Sequence, residues 1–82
     1  MQHKNLIDVL TRQGLTRDGD VWNVPSGVAA TVYLSLDEES LIIDRVAKIE
    51  ITTEVAYAVT ARRERYAFEV ETLRALRFVN EK

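Results

Sequence analysis

Thirteen carboxylates, eleven lysines and arginines, one histidine and no cysteine are the groups with which this chain can do chemistry. The histidine, His3, precedes the first expected element. A general base there would lack the fixed position and orienting partner that proton transfer requires. Without cysteine there is no disulfide and no thiolate ligand, and one histidine is too few for the usual zinc sets. Asp18 and Asp20 flank Gly19, but no EF-hand loop continues from them, so they read as turn formers. Asp37, Glu38 and Glu39 read as a solvated hairpin tip that binds a cation weakly at most. No phosphate-cradling glycine loop and no nucleophile motif occurs. The sequence points away from catalysis, and no metal or cofactor is expected.

Binding is better served. Arg62, Arg63 and Arg65 crowd one turn, and guanidinium groups engage phosphates or carboxylates through planar, bidentate hydrogen bonds. Arg74 and Arg77 join them if the last strand lies nearby; Tyr57 and Tyr66 are close enough in sequence to offer stacking surfaces, but the alternation assigns both to the core face. A second group is apolar. The alternation places Tyr33, Ile42 and Val46 on the side opposite the expected core, and Trp22 on a short strand near a sheet edge. Outward apolar side chains on a sheet are covered by the helix, by another copy or by a partner.

The elements that position these residues follow from periodicity. Leu6, Val9 and Leu10, with Ile7 beside them, predict a helix over residues 5–13, capped by Asn5 and ended by Gly14 with Leu15 folding back. So short a helix is stable only when docked. Asp18-Gly19 predicts the turn of a hairpin over residues 15–24, closed by Pro25-Ser26-Gly27. This opening is similar to the start of the HicA mRNA-interferase toxins, which carry a catalytic histidine on the strand after the turn. Val21-Trp22-Asn23-Val24 has none and the later chain does not continue that pattern, so their activity is not expected.

From Val28 the alternation is strict: Val28, Ala30, Val32, Leu34 and Leu36 face inward. Beyond the acidic turn, Leu41, Ile43, Ala47, Ile49 and Ile51 share a face of one long strand, with a bulge expected at Arg45. Val55, Tyr57 and Val59, then Tyr66, Phe68 and Val70, continue the inner face, leaving Ala56, Ala58 and Thr60 outside or beneath the helix. Glu71 to Arg74 reads as one tight helical turn before a last strand with Leu76 and Phe78, a helix over residues 69–79 being the competing reading.

The expected fold is therefore α+β: a short N-terminal helix packed on a strongly curved antiparallel meander of roughly five to six strands over residues 28–79. The order of elements over residues 5–79 is similar to the Sm-like and SH3-like small barrels, a resemblance of pattern that implies a curled sheet and brings no Sm sequence motif with it.

An 82-residue chain with 46% hydrophobic and 29% charged residues fits one globular domain, 1–82, with no linker or repeat. Absence of cysteine, of a signal-like N-terminus and of a membrane-length apolar run makes a cytoplasmic protein the expectation. Net charge is −2, but unevenly spread: three basic against seven acidic side chains in residues 1–44 (−4), eight against six in residues 45–82 (+2). Such a split orients an electrostatic partner or a second copy. The expected function is a non-catalytic protein-interaction or assembly module of the adaptor or regulatory kind, acting through an exposed sheet face and edge strands as a homo-oligomer or with a protein partner. The alternative is a small-barrel nucleic-acid binder using Arg62, Arg63 and Arg65.

Overall fold

A computed structural model describes residues 1–81. Helix α1 (His3–Arg12) is followed by strands β1 (Thr16–Asp18), β2 (Val21–Asn23), β3 (Val28–Leu36), β4 (Glu39–Ile51), β5 (Val55–Thr60) and β6 (Arg65–Glu69). A 3₁₀ turn (Val70–Thr72) then leads into β7 (Leu73–Asn80). The protein is α+β, with one short helix on a strongly curled antiparallel sheet that forms a half-barrel.

The helix begins two residues earlier than the periodicity predicts and includes His3. Gln2, not Asn5, stands at the cap position, without a side-chain hydrogen bond. Its C-terminal end is as expected. Gly14 takes φ +80°, the Gly14 N–H donates to Thr11 O at 3.1 Å and the Leu15 N–H to Leu10 O at 3.2 Å. This paired closure satisfies two otherwise orphaned carbonyls and turns Leu15 into the core. Leu6 and Leu10 are fully buried on the sheet, each worth roughly 1.5–3 kcal/mol of burial.

β4 organises the sheet. Along one edge it pairs first with β3 (Leu36↔Glu39 to Ala30↔Val46) and then with β2 (Asn23↔Lys48 to Val21↔Glu50). β2 and β3 thus lie end to end on one partner, separated by Pro25-Ser26-Gly27, with the Val24 N–H still donating to Ala47 O at 2.9 Å. β1 flanks β2, β7 flanks β3, and β5 and then β6 continue from the second half of β4. The arrangement is no simple meander. After β6 the chain crosses by the 3₁₀ turn and returns against β3. The amino group of Met1 ties this crossing to the helix, donating to Val70 O, Glu71 O and Leu73 O at 3.2, 3.1 and 2.7 Å.

The bend expected at Arg45 is present, with φ +52° in mid-strand. Between the pairs Val32↔Ile43 and Ala30↔Val46, two residues of β4 (Asp44 and Arg45) oppose one of β3 (Thr31), and a second register shift follows between Val46 and Lys48. Each irregularity inverts the alternation beyond it. Ile43, Val46, Ile49 and Ile51 therefore share the inner face, and Ala47 is exposed. The same inversion carries through the ladder to β5. Ala56, Ala58 and Thr60 are buried, while Val55, Tyr57 and Val59 stand half-buried on the outside. Inside a tightly curled sheet that also receives a helix, small side chains are the ones that fit.

Candidate functional site

The expected outward apolar set separates. Val46 is only 2% exposed, because the bulge at Arg45 reverses its direction. Trp22 is 4% exposed, because β2 is no edge strand. It lies between β1 and β4 with Trp22 opposite Ile49 on the inner face, and the Arg17 guanidinium sits over its ring at 5.1 Å. Both are core residues. Tyr33 is half-buried and Ile42 is 56% exposed, and they stand directly opposite one another on β3 and β4. Ala75 of β7 continues that row on the far side of Tyr33. The outer face of β4–β3–β7 thus carries the sequence Ile42, Tyr33, Ala75 across three strands, with Val79 exposed further along β7.

Beside this face the half-barrel is open. Among the described residues, the second edge of Glu39–Asp44 in β4 and the outer edge of β6 have no ladder partner. A groove of about 580 Å³ lies at this seam, with Leu34, Leu36 and Leu41 from the β3–β4 hairpin facing Tyr66 and Phe68 of β6. Unpaired N–H and C=O groups along a sheet edge are the standard template for adding a strand.

The arginine cluster also divides. Thr60, the end of β5, fixes the turn: its hydroxyl accepts the N–H groups of Arg62 at 3.3 Å and Glu64 at 3.1 Å. The Arg63 N–H donates to Thr60 O at 2.9 Å, and Arg63 takes φ +67°. From this turn Arg62 reaches one groove with Asp44, Arg45 and Glu64. Arg63 and Arg65 reach another, of about 420 Å³, with Lys48, Glu50, Val21 and Val59. Lys48, Val59 and Arg65 form one cross-strand row of the outer face, and Arg65 lies over Tyr57 at 5.6 Å. Arg74 and Arg77 are elsewhere, on β7: Arg74 donates to Glu71 O at 3.1 Å, and Arg77 stands opposite Thr31. The sequence names Arg63 and Arg65 but not Lys48, since only the ladder register brings them together.

Among the described residues, no three metal-ligating side chains gather, every buried side-chain nitrogen or oxygen has a hydrogen-bond partner, and no helix is long and apolar enough to cross a membrane. His3 is exposed on the first turn of α1. Compared with known protein families, with curated proteins and with solved structures, the chain finds no match.

Proposed function

We propose that the protein is a non-catalytic assembly module whose outer β4–β3–β7 face and unpaired β4 and β6 edges bind another protein chain, foremost a second copy of itself. The observation that supports this reading best is the row Ile42–Tyr33–Ala75, apolar and outward on the sheet that also leaves the first half of β4 without a partner on one edge. A mostly exposed isoleucine beside an open strand edge lowers its free energy when a second surface removes it from water, by about 25 cal/mol per Å² buried.

The test is solution mass by light scattering, on the wild type and on Tyr33→Glu combined with Ile42→Lys. The wild type is expected well above the 9.4 kDa of one chain, and the double variant is expected to be folded and monomeric. Ile42→Lys alone, at a position with little to lose from folding, keeps the test decisive if the double variant unfolds. A wild type and variant of equal mass would remove the face from the argument.

A further inference from the structure

We propose that the acidic hairpin tip of one copy, Asp37-Glu38-Glu39, docks in the groove of a second copy lined by Lys48, Arg63 and Arg65. The proposal rests on the assembly reading above and specifies a contact within it.

The groove is built to present positive charge. Lys48 and Arg65 belong to one cross-strand row, and the hydrogen bonds from the turn to Thr60 hold Arg63 at its end. Arg65 is steadied over Tyr57, and among the described residues none of the three cations sits in an ion pair. Glu50 lines the same groove and leaves an excess of two positive charges. The tip carries three exposed carboxylates, again without an ion pair among the described residues. Two unsatisfied clusters of opposite sign therefore sit on one molecule.

They cannot meet within it. The tip and the groove are at opposite ends of β4, and the stretch from Glu39 to the bend at Arg45 alone spans ~20 Å at ~3.3 Å per residue. The contact is consequently between copies, and it is head to tail. Each copy offers one tip and one groove, so the contacts close as a reciprocal pair, close as a larger ring or extend as a filament. A nucleic acid suits the groove less well. The protein as a whole is at −2, and its acidic half repels a polyanion that extends past the three cations.

The experiment is reciprocal charge reversal read by light scattering. The groove variant is Lys48→Glu with Arg65→Glu, and the tip variant is Glu38→Lys with Glu39→Lys; all four positions are exposed, and circular dichroism checks that both variants fold. The wild type is expected to associate at about 0.01 M salt and to associate more weakly at about 1 M, where the screening length falls from ~30 to ~3 Å. Each variant alone is expected to associate at least about tenfold more weakly. An equimolar mixture is expected to regain mass, because each variant then meets the opposite charge on the other.

A wild type monomeric at about 0.01 M salt overturns the proposal. So does a mixture that stays monomeric, or a groove variant that associates normally but loses binding to a labelled single-stranded oligonucleotide. An oligomer that survives both reversals yet dissolves in Ile42→Lys removes this contact and leaves the sheet-face reading standing. The opposite pattern removes the sheet face and leaves this contact.

Discussion

Thr60 and Glu64 hold each other by three hydrogen bonds: Thr60 N–H to Glu64 O at 2.9 Å, Glu64 N–H to the Thr60 hydroxyl at 3.1 Å, and that hydroxyl to Glu64 Oε1 at 3.3 Å. The next residue, Ala61, donates its N–H to Arg45 O at 2.8 Å. The arginine-bearing turn and the bend of β4 are one hydrogen-bonded unit. Thr60 is the buried polar residue on which it depends.

Thr60→Val keeps the shape and removes the acceptor for the Arg62 and Glu64 N–H groups. A cost of about 1–2 kcal/mol in urea unfolding is expected, since part-buried donors lose their partner. Amide exchange is expected to quicken at residues 62–64 and to stay unchanged in α1. A uniform change across the chain would contradict the local role.

Gly14 has open space where a Cβ would stand, so only its φ of +80° opposes substitution. Gly14→Ala is expected to destabilise by roughly 1 kcal/mol and Gly14→Asn by less, as left-handed conformation costs alanine more than asparagine. Thermal unfolding of the two variants, compared with the wild type, ranks them.

Arg45 bears a side chain at φ +52° inside a strand, and its ion pair with Glu81, at 3.7 Å, is solvent-exposed. Exposed pairs contribute little. Arg45→Gly is expected to leave stability within about 0.5 kcal/mol of the wild type or raise it. Arg45→Val is expected to lower it by more than about 1 kcal/mol, because β-branching is strained at positive φ. If valine were tolerated as well as glycine, the bulge would not be fixed at this residue.

Val46 and Ile42, four positions apart on one strand, are expected to behave as opposites. Val46→Ala should cost about 2 kcal/mol and Trp22→Ala about 3–5 kcal/mol, the range for emptied core sites. Ile42→Lys should cost under about 0.5 kcal/mol, as surface substitutions do. Denaturant midpoints of the three variants decide whether the inner face of β4 runs through Val46.

Where a strand itself carries no extra residue, the chain announces its fold. Along β3, Ala30, Val32 and Leu34 are buried as the alternation requires, whereas Leu36, expected inward, is exposed where the strand runs out into the acidic turn. Gly14 and Leu15 end the helix by a backbone requirement that few residues meet. The sequence reads a tight helical turn at Glu71 to Arg74, and the 3₁₀ turn lies one residue earlier, at Val70–Thr72. β4 was harder, because two register shifts each invert the pattern and only the position of the first carries a sequence sign, in Arg45. β5 misleads outright. Hydrophobicity favours Val55, Tyr57 and Val59 for the interior, whereas curvature demands Ala56 and Ala58. The basic groove depends on Lys48 facing Val59 and Arg65, a register written in no local stretch of sequence.

The return of β7 to β3 sets an order of assembly. β3–β4 and β5–β6 each close through short turns and can zip locally, on the microsecond scale of hairpins. β7 must instead find a strand nearly fifty positions upstream, Phe78 meeting Ala30, before the sheet is complete. That long-range closure carries the largest loop entropy and is the expected rate-limiting event. Until it happens, the hairpin holding Ile42 and Tyr33 lacks its third strand. A nascent copy exposes β3 as its edge where a finished one exposes β7, and during the slow search of β7 for β3 a second copy's β7 is expected to compete for the same edge.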